Sequence, residues 1–270
     1  MNNQVGEESL LSLPERHSRI LALLQQHGSI SVTQLAEMFK VSEVTIRKDL
    51  SYLESQKKLY RTHGSAILIS PYISDRHVNE KEKRNVTEKR AIGAEAAKLL
   101  ERDDSVIIAS GTTVAFLAHE IKPVGRLTVI TASVPVTSIL SQKSNIDVIQ
   151  LGGITRSSSV SVVGPFAEEM LKHFNCSKLY MGVDGIDLEC GLTTTNLLEA
   201  ALNGVMINSA QKVIVLADSS KFGRRGFSRI CSLDSVDMII TDSGVQPHIL
   251  KELRERGIEV RVVEVCTAYV

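Results

Sequence analysis

Hydrophobic positions along the chain fall into two regimes. From about residue 91 onward, short apolar, β-branched runs recur: 105–110 (SVIIAS), 127–133 (LTVITAS), 146–152 (IDVIQLG), 178–185 (KLYMGVDG), 212–219 (KVIVLADS), 236–243 (VDMIITDS) and 258–265 (IEVRVVEV). Gly, Ser and Asp bound them, as expected of strands buried on both faces of a parallel sheet. Stretches such as 197–209 and 246–256 between them carry helical periodicity. The alternation predicts an open, mostly parallel α/β sheet. Before residue 70 the pattern is helical. Ile20, Leu21, Leu23 and Leu24 line one side of a first helix over 14–26, which Gly28 ends as a C-cap glycine would. Ser31 with Gln34 forms a capping box for a second helix through Leu35, Ala36 and Phe39. Ser42 caps a third after a short turn at Lys40 and Val41.

Two short helices joined by such a turn match a helix-turn-helix. Unwrapped at about 100° per residue, the third helix stacks Ile46, Leu50 and Leu53 on one stripe. Val44, Lys48 and Ser51 lie opposite, flanked by Thr45 and Arg47. An apolar back and a small, polar, basic front suit entry into a major groove. Residues 57–68 then alternate into a β-hairpin wing, where Arg61 and His63 can reach a phosphate or the minor groove. The whole chain carries 31 Lys and Arg against 31 Asp and Glu, so nucleic-acid binding must rest on a local patch. Between residues 40 and 61 six Lys and Arg face three acids, a local excess of +3. The expected DNA-contacting set is therefore Ser42, Val44, Thr45, Arg47, Lys48, Ser51, Arg61 and His63.

The 41–68 segment VSEVTIRKDLSYLESQKKLYRTHGSAIL resembles the winged helix-turn-helix signature of the DeoR family of bacterial transcriptional regulators. That signature reads Val-Ser, Thr-Ile-Arg, Asp-Leu, Leu-Glu, then a hairpin ending Gly-Gly-Ala. Ser65 stands where the second glycine is usual, a change that a turn tolerates.

Four polar clusters sit at predicted strand ends, where open α/β sheets bind ligands. In 109–113 (ASGTT), small residues and a helix start make an anion cradle, with Ser110, Gly111, Thr112 and Thr113 as donors. Ser133 ends the next strand. In 151–165, Gly152 and Gly153 follow a strand, and Arg156 supplies either charge to a ligand or a surface ion pair. In 182–200, Asp184 and Asp187 can accept sugar hydroxyls. Glu199 either joins them or simply complements the helix dipole. In 216–226, Asp218 and Lys221 provide an acid and a cation.

Taken in order, Ser-Gly-Thr-Thr, Gly-Gly, Gly-Val-Asp-Gly and Asp-Ser-Ser-Lys-Phe resemble the sensor half of the same family, so the resemblance spans about residues 13–264. It implies a sensor fold like ribose-5-phosphate isomerase and a phosphorylated sugar as effector, with no cofactor. It further implies repression relieved by that metabolite, and a homodimer or homotetramer on double-stranded operator DNA. The stretches 182–196 and 218–222 look most like the amino-sugar and hexitol regulators. Ala109 stands where the family often has an acid, and Ala132–Ser133 where it often has Asn-Ser. The rival reading is an isomerase fused to a DNA-binding module, with Asp184, Asp187 and Glu199 moving a proton beside Lys221. Residues 190–196 lack the lysine that would stabilise an enediolate there. A third reading makes the second half an oligomerisation domain that senses nothing.

The expected organisation is a tail over 1–12, a winged helix-turn-helix over 13–70, a linker and leading helix over 71–90, the sensor over 91–264, and a tail over 265–270. No apolar run reaches the ~18 residues of a membrane span, and the start lacks a secretory pattern. Cys176, Cys190, Cys231 and Cys266 have no metal-ligand spacing and read as thiols of a reducing cytoplasm. Trp is absent and aromatics make up 4%, which argues against a base-stacking platform for single strands.

Overall fold

The computed structural model describes residues 12–27, 29–56, 58–62, 65–68, 77–122 and 125–265. The tails, the Gly28 cap, the 71–76 part of the linker, and His63 and Gly64 of the hairpin lie outside the described residues. The chain divides into two units, residues 1–71 and 72–270.

In the first unit α1 (Leu13–His27), α2 (Val32–Phe39) and α3 (Glu43–Ser55) pack with strands β1 (Ser29–Ser31), β2 (Leu59–Thr62) and β3 (Ser65–Leu68). The strands form an antiparallel sheet in the order β1-β3-β2. β2 and β3 are the expected wing; β1, only three residues long, gives no periodic signal. The Ser31 capping box is present. Lys40 closes α2 in the left-handed conformation (φ 53°), which lets α3 begin after two residues. Ile20, Leu24, Leu35, Ile46, Leu50, Leu53 and Leu59 form the core.

A buried polar lock crosses that core. Asp49 of α3 is 3% exposed and accepts from Arg16 Nε at 2.6 Å and Nη2 at 3.1 Å, with His17 Nε2 at 3.2 Å. It ties the recognition helix to α1.

The second unit begins with α4 (Val78–Glu82) and α5 (Val86–Ala97). All seven apolar runs become strands of one parallel sheet: β4 (Ser105–Ile108), β5 (Leu127–Thr131), β6 (Ile146–Gln150), β9 (Cys176–Met181), β12 (Ala210–Leu216), β14 (Met238–Asp242) and β15 (Glu259–Val263). Alternate residues of one strand feed different cores. Val106 and Ile108 join α5, α6 (Thr112–Glu120) and α7 (Val134–Leu140), whereas Ile107 joins α8 (Pro165–Leu171), α9 (Leu197–Asn208) and α10 (Pro247–Glu255). Burial on both faces is why these strands read as unbroken apolar runs.

Two further sheets were not visible as apolar runs. One is the hairpin of β7 (Ile154–Arg156) and β8 (Ser161–Val163); the other joins β10 (Gly185–Asp187), β11 (Gly191–Thr194) and β13 (Ser228–Cys231). The strand order β15-β14-β12-β9-β4-β5-β6 reverses direction between β4 and β9. Strand ends part at such a switch point, and a crevice opens there.

Candidate functional site

The exposed face of α3 presents Val44, Arg47, Lys48 and Ser51, with Thr45 half-buried. Ser42 caps the helix, its Oγ accepting from Thr45 N–H at 3.2 Å. Glu43 accepts from Thr33 of α2 at 2.9 Å and pairs with Arg47 at 2.7 Å, so it sets the angle between the two helices and steadies Arg47. Arg61 folds back against α3: Nε donates to Glu54 at 2.6 Å and Nη1 to Ser51 Oγ at 2.6 Å. Ser51 and Arg61 are thus one hydrogen-bonded unit rather than separate helix and wing contacts. Lys48 makes no hydrogen bond or ion pair among the described residues and is free for a phosphate.

The crevice of the second unit is lined by Val78, Lys81, Ser110 to Thr113, Ser158, Ser159, Gly182 to Asp184, Thr194, Glu199, Asn203 and Lys221. Seven of the expected residues meet here: Ser110, Gly111, Thr112, Thr113, Asp184, Glu199 and Lys221. Gly111 is the N-cap of α6 at φ 129°, a conformation that side chains disfavour, and no side chain caps the helix. Its first amides are therefore open to an anion, with the helix dipole behind them.

Asp184 is the hub. Oδ1 accepts from Lys81 Nζ at 2.9 Å, and Oδ2 accepts from Thr194 Oγ1 at 3.1 Å, Thr195 N–H at 3.2 Å and Thr195 Oγ1 at 3.3 Å. Burial opposes its ionisation, but Lys81 and Lys221 more than compensate and pull its pKa from 3.8 to about 2. Burial lowers Lys221, opposed by Asp184 and Asp218. The Lys221 ammonium has no hydrogen-bond partner among the described residues. Burial also lowers Lys89 to about 8, although Asp218 favours its charge.

A pH prediction follows from the Asp184 shift. A carboxylate depressed from 3.8 to about 2 contributes roughly 2 kcal/mol above its unfolded pKa. That contribution is lost as pH falls through the folded value. Urea unfolding of the parent and Asp184→Asn should show their stability gap narrowing by about 2 kcal/mol between pH 5 and pH 2. A gap that stays constant would mean that Asp184 is not held by charge.

The remaining expected residues are placed differently. Arg156 lies one step back, paired with Glu199 at 2.5 Å. Asp218 is 1% exposed. Its Oδ1 accepts from Asn85 Nδ2 at 2.8 Å and Ser220 N–H at 3.1 Å, while Oδ2 is buried without a hydrogen-bond partner among the described residues. Asp187 does not reach the crevice. It is 3% exposed, accepts from the Glu189 and Cys190 amides at 2.9 and 2.7 Å, and pairs with Arg225 at 2.8 Å, so it shapes the β10–β11 turn. Ser133 caps α7 through Val136 N–H at 3.3 Å and is 2% exposed. Gly152 lines no part of the crevice. Gly153, at φ 146°, stands where a Cβ would come within 2.8 Å of Val163 O, so it serves the β7–β8 hairpin rather than an anion.

Sequence reasoning missed Lys81, Asn85 and Lys89, which lie in the segment read as linker and leading helix. No local signal marks them, since Lys81 lies in α4, Lys89 in α5, and Asn85 in the left-handed turn between the two helices.

The carboxylates suit binding better than proton transfer. Asp184 is held ionised with a pKa far below neutrality, Glu199 is ion-paired, and Asp187 is elsewhere. A general base needs a pKa near the working pH. Among the described residues no His, Cys, Asp and Glu cluster could hold a metal ion. None of their helices is long and apolar enough to cross a membrane.

A winged helix-turn-helix unit followed by a doubly wound α/β unit with a polar switch-point crevice defines a DNA-binding regulator with a small-molecule sensor. Residues 16–72 match the DeoR-like helix-turn-helix domain and residues 84–243 the DeoR C terminal sensor domain. The chain belongs to the DeoR family of transcriptional regulators. It is 41% identical to an uncharacterised HTH-type transcriptional regulator of Bacillus subtilis, over 92% of this chain and 96% of that one. It is 35% identical to the putative aga operon transcriptional repressor of Escherichia coli O157:H7, over 96% and 97%. It is 36% identical to the lactose phosphotransferase system repressor of Streptococcus mutans, over 84% and 91%. Ribose 5-phosphate isomerase A from Neisseria gonorrhoeae is a distant structural neighbour (15% identity, TM-score 0.37, 51% of this chain and 53% of that one). The protein is a transcriptional regulator and not an enzyme.

Proposed function

We propose that this regulator represses a carbohydrate-utilisation operon and is released when a phosphorylated sugar binds the crevice between the β4 and β9 ends. The carrying observation is the juxtaposition of the uncapped α6 N-terminus with Lys221, whose ammonium has no hydrogen-bond partner among the described residues. Both offer charge to a phosphate, and Asp184 and Glu199 beside them offer acceptors to sugar hydroxyls. The names of the aga operon and lactose phosphotransferase relatives support the sugar class. In this reading the 13–70 module contacts the operator and the 91–264 module senses. Copies assemble as a homodimer or homotetramer in the cytoplasm, on half-sites spaced by whole helical turns.

The test is a thermal-shift screen of the full chain against hexose, amino-sugar and hexitol phosphates and inorganic phosphate. Hits are then checked for release of operator DNA. One sugar phosphate should raise the midpoint selectively, since a ligand of the native state stabilises it. A folded protein that no phosphate stabilises would sink the reading.

Operator contacts carry their own prediction. Arg47→Ala and Lys48→Ala should each weaken operator binding, and Lys48→Ala should reduce the salt slope by about 1. Mobility shifts across a salt series measure both. Retained affinity in both variants would show that α3 does not face the DNA as drawn.

A further inference from the structure

The α4 helix buries none of its residues, so polar fastenings rather than apolar packing hold it to the sensor. Its first amide, on Val78, donates to Ser158 O at 2.6 Å. Lys81 Nζ reaches Asp184 Oδ1 at 2.9 Å. Lys89, 3% exposed, reaches back from α5 and donates through Nζ to Lys81 O at 2.5 Å. Asn85, left-handed at φ 49°, joins α4 to α5 and donates to Asp218 and Ser220. Two of these fastenings, at Ser158 and Asp184, end on residues that line the crevice.

Lys81 itself lines the crevice together with the open end of α6. An anion bound at that end therefore competes with Asp184 for the same ammonium. A phosphate dianion offers more charge and more acceptor oxygens than one carboxylate oxygen, and charge-assisted bonds follow charge. Asp184 would keep its place without Lys81, because Thr194 and Thr195 hold Oδ2. Its Oδ1 would then be open to a hydroxyl of the incoming molecule. One displacement thus builds the second half of the site while removing a fastening of α4.

We propose that Lys81 is an effector-binding residue whose transfer from Asp184 to the effector's anionic group unfastens α4, the first described element of the sensor. In sequence α4 is the described element of the sensor nearest to the DNA-binding unit, so the transfer gives binding a route to operator release. This inference rests on the crevice being an effector site. It makes α4 a moving part rather than a fixed wall.

Hydrogen exchange on the full chain tests the fastening and the transfer separately. Without ligand, Asp184→Asn or Lys81→Met should speed exchange of the 78–83 amides roughly tenfold, the cost of a lost charge-assisted bond. Exchange in β4 and β9 should stay slow, showing an intact sheet. An α4 as protected in both variants as in the parent would overturn the proposal whatever the ligand.

With the best-binding sugar phosphate of the screen, the parent should show slower exchange at 112–114 and faster exchange at 78–83. Slower exchange in both places would show α4 to be a static wall and overturn the transfer. No slowing at 112–114 with any phosphate would overturn the effector reading and the transfer with it, while the variants still report on the fastening. Lys81→Arg should restore both the α4 protection and the ligand response that Lys81→Met loses, which a merely space-filling role would not require.

Discussion

Asp49→Ala should destabilise the DNA-binding unit by about 3 kcal/mol, at the low end of what breaking a buried ion pair costs. The carboxylate is 3% exposed and is the partner of both Arg16 and His17, whose side chains are 11% and 10% exposed. Removing it leaves the Arg16 guanidinium, which cannot shed its charge, buried without that partner. A module this small commands only about 5 kcal/mol in total. The variant should therefore lose operator binding at 37 °C while the sensor's thermal transition and ligand response remain. Exchange of the α3 amides in the full chain gives the local stability directly. A change below about 0.5 kcal/mol, the usual span of surface substitutions, would mean that the lock contributes nothing. Asp49→Asn should fall between the two, because its carbonyl still accepts one bond.

Lys221→Ala should lower the affinity for the effector by about 30-fold, equivalent to roughly 2 kcal/mol for one charge-assisted bond in a poorly hydrated site. Operator binding without effector should be unchanged, because Lys221 makes no hydrogen bond within the described fold. The stability of the variant should stay close to that of the parent, since burial disfavours this ammonium while Asp184 and Asp218 favour it. Titration calorimetry with the identified sugar phosphate, alongside operator mobility shifts, separates the two effects. An effector affinity unchanged by the substitution would remove Lys221 from the site and shift the anion towards Lys81 and the α6 amides alone.

What was legible in the chain depended on whether the signal was local. The seven sheet strands were, because burial on both faces writes itself as a run such as SVIIAS or KVIVLADS. So were Ser31 and Ser42, since a cap is a contact between residues three apart. Strands β7, β8, β10 and β11 were not, because segments of three or four residues such as Ile-Thr-Arg or Gly-Ile-Asp are too short to show an alternation. Gly153 and Asp187 were misplaced for a related reason. Each sits among residues that suit a ligand, yet each is taken up by its neighbours, Gly153 by Val163 and Asp187 by the turn that ends at Gly191. Lys81, Asn85 and Lys89 failed differently. A polar run reads as solvated until the fold shows that its partners, Asp184 and Asp218, lie about a hundred residues downstream, the kind of separation on which long-range contacts depend. Asp49 was counted only among the three acids of residues 40–61, because its partners Arg16 and His17 lie 33 and 32 residues upstream on another helix.

The pairing of β4 with β9 bears on how a new molecule comes of age. Val106 pairs with Lys178 and Ile108 with Tyr180, so the crevice's two rims are about seventy residues apart in the chain, a slow kind of contact to form. Residues 1–71 form a compact unit of their own, and N-terminal domains generally fold first during synthesis. On the reading proposed above, a nascent chain therefore completes the module that reads DNA before the crevice that senses the metabolite.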